Sequence, residues 1–301
     1  MADQAGLIEG RIPPEEMFPA GDPRFSVSFL SLTVCGRALI IRAIECGDPE
    51  SDRVVFCVHG WACSVYSYRR LMPLLADLGM RVVAIDLPGH GLSGKPDDHR
   101  FYTLDGQVES VLASMDELRI SRCVLVGHSM GGPICARLAV LAPERVRALA
   151  LLAPAGFGTE WDLRILSSLT PHVLEPLLPH LVRRWMIALV FSVVYGSLYR
   201  PTARDIDEYW APSQFPGFVR AMSDLLHHFE WNAGSDRGFG KILAPTAIMD
   251  GRRDNLVVRR WVRRYAEVLP NATLTVIDKC GHVVPEEAPE RVVGAIEAMT
   301  R

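Results

Sequence analysis

Cys123-Val-Leu-Val-Gly-His-Ser-Met-Gly-Gly-Pro133 is the stretch whose reading decides the fold. Cys123 to Val126 is a short apolar run that suits a buried strand. After Pro133, Ile134, Leu138 and Leu141 with the small Ala136 and Ala139 suit a helix. Between them Gly127-His-Ser-Met-Gly131 matches G-x-S-x-G. A strand that turns at once into a helix strains the serine backbone and thrusts its Oγ outward. A Cβ at either flanking glycine would collide with neighbouring backbone. The helix behind Ser129 turns its N–H groups and positive dipole end toward any negative charge developing there. Five residues alone also describe a polar turn without chemistry, so the rest of the chain has to choose.

Working outward, Arg53-Val-Val-Phe-Cys-Val58, Arg81-Val-Val-Ala-Ile85 and Val146–Leu152 are near-continuous apolar runs. Such runs mark strands buried on both faces of a parallel sheet. Residues 25–34 and 38–46, separated by Gly36, read as an antiparallel hairpin, and residues 68–78 and 104–118 as helices. Strands alternating with helices imply a doubly wound α/β sheet with functional loops beyond the strands' carboxyl ends. His59, Asp86 and Ser129 each follow such an end. Further on, Thr246-Ala-Ile-Met249 and residues 272–277 read as strands, and residues 257–269 and 290–299 as helices.

From Pro154 to Phe239 this rhythm breaks into helical segments rich in aromatics, Trp161, Trp185, Phe191, Tyr195 and Trp231 among them. Residues 185–199 are fifteen in a row without a charge, bracketed by Arg183-Arg184 and Arg200. A membrane span needs about 20 apolar residues, so a buried or interfacial helix is expected here. The expected organisation is an N-terminal arm over 1–24, an α/β core over 25–153 and 240–301, and a helical cap inserted over 154–239. Pro13, Pro14, Pro19 and Pro23 keep the arm extended, and Ile8-Glu-Gly-Arg11 spells a processing-protease site of the kind carried by expression tags.

Of the 301 residues 49% are apolar, ample for a sizeable core, and a net charge of −3 leaves no nucleic-acid footprint. Seven scattered cysteines without paired spacing point to reduced thiols in the cytoplasm rather than a disulfide framework or a zinc site. The N-terminal residues lack an apolar signal core.

A serine hydroxyl attacks well only when a base takes its proton and a carboxylate orients that base. Ser129, Asp254 and His282 supply these types in chain order, each in a loop after a strand. Asp254 precedes His282 by 28 residues, one helix and one strand, which brings the two to adjacent strand ends. Asp250 and Asp278 lie near similar ends and remain alternatives for the acid. His59, Asp86, His90 and Ser93 read as braces of their loops, Cys63 and Cys280 as small hydrophobes, and His128 receives no role.

With these motifs in view, the chain resembles the α/β-hydrolase fold superfamily from residue 25 onward. The resemblance rests on His59-Gly-Trp61, Asp86-Leu-Pro-Gly-His-Gly-Leu-Ser93, Gly127-His-Ser-Met-Gly-Gly132, Gly251-Arg-Arg-Asp254 and Cys280-Gly-His-Val-Val-Pro285. It implies a mostly parallel sheet of about eight strands with an inserted helical cap, and no cofactor or metal. It also implies an oxyanion hole made by the N–H groups of Trp61 and Met130. No HGGG run is present, and a serine stands where dehalogenases and epoxide hydrolases place aspartate. The expected activity is hydrolysis of a fairly apolar carboxylic ester, with Trp61, Phe157, Trp185, Phe191, Tyr195 and Val283 lining the chamber. The alternatives are hydrolysis of a carbon–carbon bond in a diketone-like substrate, or a hydrolase-like receptor with slow turnover. The expected partner is that small molecule, with no nucleic acid and no integral membrane span; the oligomeric state stays open.

Overall fold

Strands β1 (Phe25–Val34) and β2 (Arg37–Cys46) pair antiparallel around the Cys35-Gly36 turn in the computed structural model of the protein. The structure describes residues 12–158 and 182–300. Ile8-Glu-Gly-Arg11 and Trp161 lie outside the described residues, as do the rest of 1–11 and of 159–181. The apolar runs become β3 (Val54–Val58), β4 (Arg81–Ile85), β5 (Cys123–His128), β6 (Val146–Leu152), β7 (Thr246–Gly251) and β8 (Ala272–Ile277). These form one eight-stranded sheet in the order β1-β2-β4-β3-β5-β6-β7-β8, parallel from β4 to β8. The chain reverses direction across the sheet between β3 and β5, which leaves a crevice at their carboxyl ends.

Helices cover both faces, which is why the central strands are apolar throughout and all six residues of β5 are buried. One face packs on α2 (Leu104–Glu117) and α3 (Gly131–Leu141) through Val108, Val111, Ile134 and Leu138. The other packs on α1 (Leu71–Ala76) and the C-terminal helix through Leu71, Leu75, Val292 and Ile296. The helix expected over 68–78 is shorter, covering Leu71–Ala76. A 3-10 turn over Val65–Tyr68, capped by the Ser64 hydroxyl, precedes α1.

Between β6 and β7 the described residues form α4 (Arg184–Val194), α5 (Ala203–Trp210), α6 (Phe218–His228) and the short α7 (Ala233–Asp236). The uncharged run 185–199 is helical only to Val194. Beyond it the chain crosses the loop after β8, where Ser197 N donates to Lys279 O at 2.7 Å. Gly196 permits that crossing, since a Cβ there would stand 2.1 Å from Lys279 O. The remaining helices are α8 (Arg259–Val268), α9 (Val284–Glu287) and α10 (Pro289–Thr300).

Polar contacts fasten these inserted helices to the sheet. Arg69 bridges Asp205 of α5, at 2.6 Å, and Glu286 of α9. Tyr66 and Tyr199 donate to Asp205 at 2.7 and 2.8 Å, while Tyr195 and Tyr209 donate to Glu286. Part of the N-terminal arm is seated there too, with Met17 buried and Phe18 N donating to Glu208 Oε1 at 2.8 Å.

Candidate active site

Steric crowding shapes the turn after β5. Ser129 has a φ of +53°, a left-handed conformation costly for a side-chain-bearing residue. Its N–H donates to Leu152 O at 2.9 Å, and its carbonyl accepts from Gly132 N and Ala155 N. A Cβ on Gly127 would meet Gly131 O at 2.4 Å, and one on Gly131 would meet Val58 O at 2.0 Å. The G-x-S-x-G pattern is therefore the imprint of a helix starting too close to two strands for side chains to intervene.

Ser129 faces a cavity of about 490 Å³ at the carboxyl ends of β3, β5, β7 and β8. The volume suits a drug-sized apolar ligand. His282, in the loop after β8, lines the same cavity, and its Nδ1–H donates to Asp254 Oδ2 at 2.8 Å. The other oxygen of Asp254 accepts from Leu256 N at 2.7 Å and Val257 N at 3.0 Å. Both side chains are almost fully buried. Burial penalises the charged imidazolium, but the Asp254 carboxylate outweighs it and holds His282 above its ordinary value. Burial likewise penalises the carboxylate, and His282 with two backbone donors keeps Asp254 below its own. No hydrogen bond joins Ser129 to His282 among the described residues.

The other candidate acids are placed elsewhere. Asp250 is buried and accepts from Arg259 Nε at 2.9 Å, and Asp278 is exposed and paired with Arg252. Gly60, beside Trp61, packs on the serine, a Cβ added to it standing 3.0 Å from Ser129 Cβ, and the N–H groups of Trp61 and Met130 donate to no acceptor among the described residues. His59 braces their loop: its Nε2 accepts from Leu87 N at 3.0 Å and its Nδ1 lies 2.8 Å from Gly60 O. Asp86 accepts from Val65 N and Leu92 N, at 2.8 and 2.9 Å. Burial pushes the Cys63 thiol, also on the cavity wall, up to about 12, so it is not a competing thiolate near neutral pH.

Three residues expected in the chamber stand outside its lining. Trp185 is 65% exposed, because it sits on the outward face of α4. Tyr195 is buried behind the wall, where Glu286 takes its hydroxyl. Phe157 packs edge-on against Tyr265 at 4.6 Å, away from the cavity. Trp61, Phe191 and Val283 do line it, joined by Met222, Leu226 and Trp231. The Trp61 indole also donates to Met222 O at 3.2 Å, stitching its loop to α6.

His128 was given no role, yet it holds the His282 backbone. Its ring is buried, and its Nε2–H donates to His282 O at 3.0 Å. Burial and the neighbouring His282 push its pKa down to about 3, so it stays a neutral donor. The His282 N–H is held from the other side by Val194 O at 2.7 Å. Only its place at the last position of β5, beside the serine, signals this in the sequence.

Comparisons with known proteins bear on the family and the fold. A sequence model of the Alpha/beta hydrolase family matches residues 54–295. YugF, an uncharacterized hydrolase of Bacillus subtilis, is 30% identical over 250 residues, covering 81% of this chain and 88% of its own. Cfl2 of Burkholderia cenocepacia superposes with a TM-score of 0.78 at 23% identity, over 93% of this chain and 98% of its own. A 2-hydroxy-6-oxo-6-phenylhexa-2,4-dienoate hydrolase of Rhodococcus sp. strain RHA1 gives a TM-score of 0.73 at 24% identity, over 92% and 100%. At those identities the two solved structures speak to the fold alone.

Proposed function

The chain belongs to the alpha/beta hydrolase family, and on that premise we propose that it is a serine hydrolase cleaving carboxylic esters with a fairly apolar acyl or alcohol part. The observation that carries the reading is the buried Asp254–His282 pair, 2.8 Å apart, opening with Ser129 onto one apolar cavity. In this reading Ser129 Oγ attacks the ester carbonyl while His282 Nε2 takes its proton. Asp254 keeps the imidazole in the matching tautomer and offsets its charge. The Trp61 and Met130 N–H groups receive the oxyanion, each such donor being worth about 10²–10³ in turnover. His282 then gives the proton to the departing alcohol, and water activated by the same ring releases the acid.

The stretch 154–239, helical over much of its described part, acts as the cap that walls the chamber over the 25–153 and 240–301 core. Its lining favours a neutral substrate over a dienoate-like carboxylate: among the described residues the wall holds no arginine or lysine. All seven cysteines are free, in keeping with a reducing, cytoplasmic setting.

The test is a panel of p-nitrophenyl esters together with fluorophosphonate labelling of the wild type and of Ser129→Ala. Turnover and a single label, both lost in the variant, are expected. Labelling that persists in Ser129→Ala, or the absence of turnover on any ester, would overturn the reading.

A further inference from the structure

Helix α4 is apolar on both of its faces. Ile187, Phe191 and Val194 face inward onto the cavity. Trp185, Leu189, Val190 and Val193 form the opposite stripe, and are 65%, 60%, 50% and 43% exposed. A helix fully packed inside a fold, or one facing only water, would not carry this outer stripe. We propose that this outer stripe lays the protein on an anionic lipid surface, with the cavity mouth at the bilayer, so that the esters it takes are those of acyl chains held in lipid.

Length decides between lying on a membrane and crossing it. Eleven helical residues rise only about 16 Å, roughly half a bilayer's hydrocarbon thickness. Among the described residues no helix is long and apolar enough to cross. A helix of this length, its inner face taken by the cavity, can lie in the interface with its outer apolar stripe among the headgroups and acyl ends.

Charge decides which lipid. From 183 to 200 the chain has three arginines and no acid, and from 252 to 264 it has six arginines against Asp254 alone. Asp254 is turned inward onto His282. The second cluster borders the stripe: Asn255 Nδ2 donates to Val193 O at 3.3 Å, and Arg260 stacks on the cavity-lining Trp261 at 4.5 Å. Arg184, Arg252, Arg259 and Arg264 pair with acids, whereas Arg183, Arg200, Arg253, Arg260 and Arg263 pair with no acid among the described residues. This concentration stands out in a chain of net charge −3 and matches anionic headgroups. Val190 belongs to both surfaces, half exposed and lining the cavity, so stripe and chamber are continuous.

Docking itself does not depend on the chemistry; only the substrate class rests on the ester reading. The experiment is co-sedimentation of the full-length Ser129→Ala protein with vesicles of phosphatidylcholine alone or mixed with phosphatidylglycerol. Binding is expected on the mixed vesicles, weakened by salt and by their replacement with neutral ones. Trp185→Ser with Leu189→Ser should weaken it about tenfold or more. Arg183→Gln with Arg200→Gln should weaken it about fivefold per arginine, which keeps the test alive if the first variant does not fold. Absence of binding by the folded protein, or binding unchanged in both variants, overturns the proposal. A concentration-dependent dimer without vesicles, abolished by Trp185→Ser with Leu189→Ser, also overturns it, by giving the stripe to a second copy. Turnover of a soluble short ester by the Ser129-bearing protein is read alongside. Turnover without vesicle binding rejects docking alone, and binding without turnover rejects the ester chemistry alone.

Discussion

The loops at the carboxyl ends of β3, β5, β7 and β8 and the inserted helices α4 to α6 face each other across one cavity, and they are held in different ways. The loop side is positioned by backbone: Ser129 in a strained turn, Gly131 against Val58 O, Asp254 against two N–H groups, the His282 peptide between His128 and Val194. The helical side is positioned by side chains, through the polar contacts to Asp205 and Glu286 and through packing, as where Phe191 meets Tyr195 and Tyr209 edge-on at 5.1 and 5.2 Å. Chemistry tolerates little displacement, about 1 Å already costing some 10²-fold, whereas an apolar wall accepts exchanges of shape and volume. Substitutions on the loop side should therefore change rates at constant preference, and substitutions on the helical side should change preference.

The largest effect expected is that of Ser129→Ala, which should lower kcat by about 10⁶-fold without shifting Tm. A large fall in Tm would mean that the turn is held by the serine hydroxyl rather than by backbone.

Asp254→Asn comes next, with kcat down about 10⁴-fold, and it carries a pH signature. His282 works as a base when neutral, and its pKa is held above the ordinary value by Asp254. The acid limb of kcat/KM in the wild type should thus lie above about 6.5. Asparagine removes the support and leaves the burial penalty, so the limb of any residual activity should move down. Asp250→Asn, which weakens the pairing with Arg259 and removes a smaller part of the charge that supports His282, should cost about 1–3 kcal/mol of stability and move that limb down by less than Asp254→Asn does.

His128→Ala should reduce kcat by about tenfold to a hundredfold with the chain-length preference intact, and His128→Gln, which keeps a donor, should recover part of it. An altered preference would blur the division between the two sides. The smallest effects fall on the helices. Phe191→Leu should move the ester optimum toward longer chains at similar kcat, since each added methylene buried is worth about 0.8 kcal/mol. Tyr195→Phe should cost about 1 kcal/mol of stability and shift no optimum, because its hydroxyl serves Glu286 behind the wall.

What the sequence made legible follows the same division. Gly127 and Gly131 are readable because steric exclusion leaves glycine as the one residue that fits. The Asp254–His282 pairing is readable because a 28-residue spacing covers one helix and one strand to the adjacent strand end. His128 was missed because its partner is a backbone carbonyl 154 residues away, which no residue type announces. The Arg69 bridge between Asp205 and Glu286 was missed because its partners lie 136 and 217 residues away, where any acid of the chain would match an arginine equally well. Trp185 was misplaced because hydrophobicity reports that a residue avoids water, not which side of a helix will be covered. With α4 apolar all round, the pattern has no phase from which to choose.

The central claim is that carbonyl attack on the loop side passes through a covalent ester on Ser129. Rapid acid quench of the protein mixed with a p-nitrophenyl ester, followed by mass spectrometry of its peptides, reads this directly. The account predicts one acyl group on the peptide containing Ser129, formed in a burst with p-nitrophenol and absent in Ser129→Ala. Turnover with no acyl group bound, or with the acyl group on Cys63, would contradict it.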